Sequence, residues 1–305
     1  MKGIGPWDMA LVIALVAAAC SSGGGLPFQA LQEGPADVLT TPTPSPASKH
    51  APAPVGPSEE SIQSLAQRAQ DLIASYRGHV AFVALEAASG RGVAINWDEP
   101  FIAASVIKVF TMLAVLRDVE QGLYPMEQVQ DDLNLMMFYS DNEANARLTN
   151  LVGLARVNAL MQELGMTASV YSLWPGVEET YGSASENYIT ARDVAQALLA
   201  LYQGRAFADP AMTRLALEQM RPAGEQDQLI ISRYLPEDAV VAHKTGFIPP
   251  DEQYPSVLHD VGIVFPPRGD PYVIVFLTEE NADHGAAYDL GAELSRLAYE
   301  TFAGP

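Results

Sequence analysis

The sequence predicts an α+β domain in which one five-stranded sheet takes its strands from both ends of the domain and an all-helical subdomain is inserted between them. Three observations carry this reading. Short β-rich runs fall in two groups, around residues 79–97 and 240–277; the stretch between them, from about 105 to 202, reads as helix; and amphipathic helical repeats open and close the domain.

In chain order, Ser58 is a plausible N-cap, and Ile62, Leu65, Ala66, Ala69, Leu72 and Ile73 then recur at helical spacing until Arg77-Gly78 breaks the pattern. Residues 79–86 and 92–97 read as two strands of a hairpin closing near Ser89-Gly90-Arg91. After the helical middle, 240–245, 261–265 and 272–277 read as three further strands, the last two joined by Pro266-Pro267-Arg268-Gly269-Asp270-Pro271. A final helix is expected over about 286–301.

Composition narrows the function. At 305 residues and 49% apolar content the chain can bury a substantial core. Its 37 acidic against 17 basic residues give a formal charge of −20, which repels phosphate backbones, so nucleic acid is not an expected partner. One cysteine excludes an internal disulfide framework, and five scattered histidines offer no zinc-ligand spacing; no metal or other cofactor is expected. Ala10 to Ala19 form an apolar run too short to span a bilayer but suited to a signal peptide. Small residues precede Cys20, and Ser21-Ser22-Gly23-Gly24-Gly25 follow it, a pattern resembling a bacterial lipoprotein signal. The expected organisation is therefore a signal peptide over 1–20, a Pro/Ser/Gly-rich tether over 21–57 and a catalytic domain over 58–305. The protein is expected to be exported, monomeric and held on the outer face of a membrane by a lipid on Cys20.

Three short motifs carry chemistry. Ser105-Val106-Ile107-Lys108 opens an apolar helical run, so the lysine amine can reach the serine hydroxyl one turn away. Burial there would lower the lysine pKa toward neutrality. Ser140-Asp141-Asn142 lies between apolar helical stretches, where Asp141 can cap the following helix while Ser140 and Asn142 point one way. Lys244-Thr245-Gly246 ends a strand-like run; alternation would send Lys244 and Thr245 to opposite faces unless a twist brings both to the cleft, and Gly246 permits close approach to the backbone. His243, with no nucleophile indicated beside it, reads as structural. Of the four lysines in the chain, Lys2 and Lys49 precede the domain; within it only Lys108 and Lys244 occur, each inside a motif, against thirteen arginines. Lysine, unlike arginine, can give up its proton when buried.

Ser-x-x-Lys, Ser-Asp-Asn and Lys-Thr-Gly in this order resemble the signature of class A β-lactamases and their penicillin-binding relatives. The likeness covers about residues 58–302 and extends to Leu164-Gly165, Thr190-Ala191 and Gly262-Ile263-Val264. It implies an antiparallel five-stranded sheet flanked by helices, with Ser105 as nucleophile, Lys108 as its base and Ser140 as proton relay to the leaving nitrogen. It further implies Asn142 holding the substrate amide, Lys244 and Thr245 holding its carboxylate, and an oxyanion hole from the N–H groups of Ser105 and Phe247 next to Gly246, each such donor worth about 3 kcal/mol in the transition state.

The chain departs from the family at the base for acyl-enzyme hydrolysis. Ungapped counting from Leu164-Gly165 and Thr190-Ala191 puts Pro175 at the family glutamate's position and Glu179 at the asparagine's, leaving Glu179 as a candidate that could reach the water from the other side. The Ser105–Ser140 interval is shorter than usual, and Val261 stands where some members carry a substrate-binding arginine. The expected activity is β-lactam hydrolysis through an acyl-enzyme. The alternatives are a D-Ala-D-Ala carboxypeptidase acting on peptidoglycan stem peptides and a β-lactam-acylated sensor without turnover.

Overall fold

In the computed structural model, residues 56–221, 230–250 and 255–303 are described. The first helix, α1 (Glu59–Ser75), starts at Ser58, whose side chain accepts a hydrogen bond from the Ser61 N–H. Strands β1 (His79–Glu86) and β2 (Gly92–Ile95) form the expected antiparallel hairpin, with Leu85 opposite Gly92. A Cβ at Gly92 would lie 2.0 Å from the Ala84 carbonyl oxygen, so only glycine fits this approach. β2 is two residues shorter than expected because Asn96 turns to φ 52° and its side chain donates to the Val80 carbonyl.

β3 (Pro100–Ile102) leads into a 3₁₀ turn (Ala104–Ile107) that runs directly into α2 (Lys108–Glu120). The helical middle continues with α3 (Met126–Phe138), α4 (Asn142–Val152) and α5 (Leu154–Glu163). A long loop then reaches β4 (Tyr188–Thr190), which pairs with β3 in a two-stranded sheet that the sequence did not reveal. α6 (Ala191–Tyr202) and α7 (Pro210–Gln219) complete the helical part.

β5 (Val240–Ile248), β6 (Val257–Phe265) and β7 (Tyr272–Glu279) join the hairpin in an antiparallel sheet of order β2-β1-β7-β6-β5, and α8 (His284–Phe302) ends the fold. The sheet thus unites strands from both ends of the domain, as expected. One core lies between the sheet and the helical middle, around Phe101, Val106, Phe110, Leu113 and Val261. The other lies on the opposite sheet face under α1 and α8, around Leu65, Phe82, Phe276 and Leu294. β6 begins four residues before the expected strand because its two polar residues are satisfied internally. The His259 ring takes a hydrogen bond from the Thr278 N–H at Nδ1 and gives one to the Ile102 carbonyl from Nε2, while Asp260 lies 2.6 Å from His243 Nδ1. Burial lowers the His259 pKa to about 4, consistent with this neutral tautomer.

The expected signal peptide, Cys20 and nearly all of the 21–57 tether lie outside the described residues. Among the described residues no helix is long and apolar enough to cross a membrane.

Candidate active site

Ser105 sits in the 3₁₀ turn and Lys108 opens α2, so the two side chains share one face and Lys108 Nζ lies 3.1 Å from Ser105 Oγ. The turn is entered through Ala104 at φ 44°, a left-handed conformation that costs a non-glycine residue about 1–2 kcal/mol. Ser140, at φ 55°, bears the same strain at the junction of α3 and α4. There Asp141 caps α4 by accepting from the Ala144 N–H at 2.7 Å. This turn aims Ser140 and Asn142 at the lysine: Nζ of Lys108 lies 3.1 Å from Ser140 Oγ and 2.7 Å from Asn142 Oδ1, and also donates to the Ser140 carbonyl oxygen.

Lys244 arrives from β5, the edge strand beside the 3₁₀ turn, and its Nζ lies 3.1 Å from Ser140 Oγ and 3.1 Å from the Thr245 carbonyl oxygen. The close approach depends on Gly246, where a Cβ would meet Val106 Cγ2 at 3.2 Å and Ala104 Cβ and His259 Cβ at 3.3 Å. Thr245 is half-buried and Phe247 is 49% exposed. His243 is buried and its Nδ1 lies against Asp260 Oδ1 at 2.6 Å, which fits the structural role expected of it.

The structure thus brings Ser105, Lys108, Ser140, Asn142 and Lys244 together around one point. Lys108 is fully buried, and burial first, then the charge of Lys244, lowers its pKa from 10.5 to about 7, with Asp141 opposing. An amine so poised has its protons directed at the Ser140 carbonyl and Asn142 Oδ1, which leaves its lone pair for the Ser105 hydroxyl. It can act as a base near neutral pH.

Glu179 is not part of this group. Its Oε2 would be 3.9 Å from a Cβ on Gly153, beyond the C-terminal end of α4, whereas Asn142 is that helix's first residue. Eleven helical residues rising 1.5 Å each separate the two ends by about 16 Å. Glu179 is exposed, and its neighbour Glu178 is held by its N–H on Asn150 Oδ1, so the loop carries both carboxylates away from the amine. The expectation that Glu179 serves a water at the nucleophile is corrected accordingly.

In place of a carboxylate the loop offers Trp174, which the sequence reading passed over. Its ring centroid is 5.2 Å from Lys108 Nζ and its Nε1–H donates to the Asn142 carbonyl oxygen at 3.2 Å. The signal was present in its position: Trp174 immediately precedes Pro175, the residue that ungapped counting puts at the family glutamate's place. Among the described residues no group of three or more His, Cys, Asp or Glu side chains gathers that could hold a metal ion.

The model of the beta-lactamase enzyme family matches residues 64–129 and 126–302, most of the chain and all three motifs. The chain belongs to the beta-lactamase enzyme family. A beta-lactamase of Streptomyces albus G is 27% identical, with 72% of this chain and 78% of that protein covered. Among solved structures, a beta-lactamase from Sphaerobacter thermophilus is 25% identical at a TM-score of 0.65, covering 80% of this chain and 97% of the other. A class A beta-lactamase from Bacteroides cellulosilyticus has a TM-score of 0.69 at 20% identity, covering 79% and 98%, a likeness of fold. The family is one of hydrolases, and its α+β fold is the one described above.

Proposed function

We propose that this beta-lactamase-family hydrolase opens β-lactam rings by acylation of Ser105. One observation carries the reading: Lys108 Nζ is 3.1 Å from both Ser105 Oγ and Ser140 Oγ, and Lys244 Nζ is 3.1 Å from the latter. Lys108, with its pKa near 7, takes the Ser105 proton as Oγ attacks the ring carbonyl. Negative charge developing on the carbonyl oxygen is met by the N–H groups of Ser105 and Phe247, on the two elements that Gly246 holds in contact. Ser140 passes a proton to the departing nitrogen and is resupplied by the amine beside it. Lys244 and Thr245 hold the substrate carboxylate, and Asn142 its side-chain amide, exchanging its contact with Lys108 for the substrate.

A D,D-peptidase acting on peptidoglycan stem peptides, or a β-lactam-acylated sensor, is the second reading. The specific observation in its favour is the indole of Trp174 facing Lys108 where a hydrolytic carboxylate would be needed. The reading also includes export and a lipid on Cys20, supported by the apolar run and small residues that precede that cysteine. Loss of palmitate labelling in Cys20→Ser tests the anchor.

The test of function is to incubate the protein with a chromogenic cephalosporin and follow both colour and intact mass. Colour on every turnover supports a β-lactamase. A lasting adduct, absent in Ser105→Ala, supports acylation without efficient hydrolysis, and release of D-alanine from a stem peptide then separates peptidase from sensor. With neither colour nor adduct, the assignment fails.

A further inference from the structure

The segment that delivers Trp174 is held by buried polar groups far beyond what an exposed loop needs. The Tyr171 backbone N–H donates to Asn158 Oδ1 at 3.0 Å, and Asn158 Nδ2 returns a bond to the Tyr171 carbonyl at 2.8 Å. The Ser172 and Leu173 N–H groups both donate to Asn187 Oδ1, at 2.7 and 3.1 Å, and Asn187 Nδ2 donates to the Leu173 carbonyl. The Tyr171 hydroxyl receives Asn145 Nδ2 at 2.7 Å, from the first turn of α4, and the Trp174 ring stands edge-on against the Tyr171 ring. Asn145, Asn158, Tyr171 and Asn187 are all buried. Four residues in a row are thereby fixed, and the last presents an indole face, with no ionisable group, to a fully buried amine.

On that geometry we propose that Trp174 is a positioning residue that seals the Lys108 amine from water and so prolongs the life of the Ser105 acyl-enzyme. The proposal rests on the acylation reading above. Hydrolysis of the ester requires a water oxygen to attack the acyl carbon while its proton passes to Lys108 Nζ; the bond from that carbon to Ser105 Oγ then breaks and the proton returns to Oγ, with water the only co-reactant. Lys108 is the base available on both halves of the reaction, since Glu178 and Glu179 are carried to the other end of α4. The apolar face of the indole, its centroid 5.2 Å from Nζ, occupies that side of the amine, so attack by water from there is suppressed while acylation, which needs no water, proceeds.

Two substitutions separate sealing from tethering. Trp174→Gln keeps a donor for the Asn142 carbonyl and removes the ring; Trp174→Phe keeps a ring and removes the donor. The full chain is acylated with benzylpenicillin, free drug is removed, and loss of the adduct is followed by intact mass. The wild-type adduct should persist. The glutamine variant should lose it about tenfold faster or more, and the phenylalanine variant should stay near wild type. Water admitted to Lys108 also relieves its burial, so the pH midpoint of acylation should move alkaline from about 7 in Trp174→Gln and hold in Trp174→Phe. A glutamine adduct as lasting as wild type overturns the proposal, as does a phenylalanine adduct as short-lived as the glutamine one, which would mark the hydrogen bond as the working contact. A wild-type adduct that clears as fast as it forms overturns it too. Failure of the wild-type chain to form any adduct is a different result and removes the acylation reading itself.

Discussion

Replacing Lys244 with methionine removes one positive charge beside Lys108 while keeping an unbranched stem in the same space. Both amines lie 3.1 Å from Ser140 Oγ, so they are at most about 6 Å apart. At an effective dielectric of about 20, two like charges about 6 Å apart repel by roughly 3 kcal/mol, equivalent to roughly two pH units. Burial is the larger cause of the fall in the Lys108 pKa from 10.5 to about 7, so the charge supplies the smaller share. The expected displacement is about one pH unit. Its sign follows from the proposed chemistry: with neutral Lys108 as the base, acylation rises with pH through its pKa, and removing a neighbouring cation raises that pKa. Lys244→Met should move the midpoint of the acylation rate alkaline, toward 8, with the variant slowest relative to wild type below neutrality. The assay is adduct formation with a cephalosporin at saturating concentration from pH 5 to 10. Loss of the substrate's carboxylate partner raises the concentration needed for saturation without moving this midpoint. A midpoint that stays put or moves acidic would refute the account of how Lys108 is made basic.

Two further outcomes follow from the same geometry. Glu179→Gln should leave acylation and deacylation within about twofold of wild type, because the carboxylate is exposed about 16 Å from the amine cluster along α4; a large loss of deacylation in a mass-resolved time course would return Glu179 to the mechanism. Gly246→Ala should lower stability by about 1–3 kcal/mol, seen as a lower thermal midpoint, since its Cβ would press on Val106, Ala104 and His259 at 3.2–3.3 Å. It should also slow acylation, because the added methyl pushes β5 away from the turn that carries Ser105, and unchanged acylation would show that the contact does not set the site.

The sheet and both terminal helices were legible because each has a strong period or a strong break. The helix α1 shows its apolar stripe in sequence, and β1 is bounded by Gly78 and the Ser89-Gly90-Arg91 turn. Where the reading fell short, a tertiary partner had supplied what the local sequence lacks. His259-Asp260 looks like a break in a strand until Ile102, Thr278 and His243 are seen to satisfy it. The strands β3 and β4 are three residues each and stabilise only as a pair, across 86 or more positions of chain, so neither has a pattern of its own. The helix α7 starts with Pro210 after Asp209, whose side chain caps the Ala211 N–H, a start signal that lacked a clear apolar stripe behind it.

The site divides the same way. Ser105, Lys108, Ser140 and Lys244 could be singled out because lysine is scarce in this domain and two of the three motifs sit at a helix start, whereas Lys244 lies at the middle of β5, which runs three residues past the expected strand end. What lies opposite them could not, because the 164–190 loop follows no period and its course is set by side chains distant in sequence. Counting residues along it put Glu179 in a catalytic position, but Asn158 and Asn187 fix the chain at Tyr171 to Leu173, and from there Trp174 is the residue that meets the amine. The glutamates come only after the loop has turned along α4 toward Gly153. Lys108 and the group facing it are thus specified by different means: the first by spacing within one helix, the second by buried amides on α5 and beside β4. On the proposed mechanism Lys244 therefore acts on Lys108 through its charge, and Trp174 acts on it through access to water.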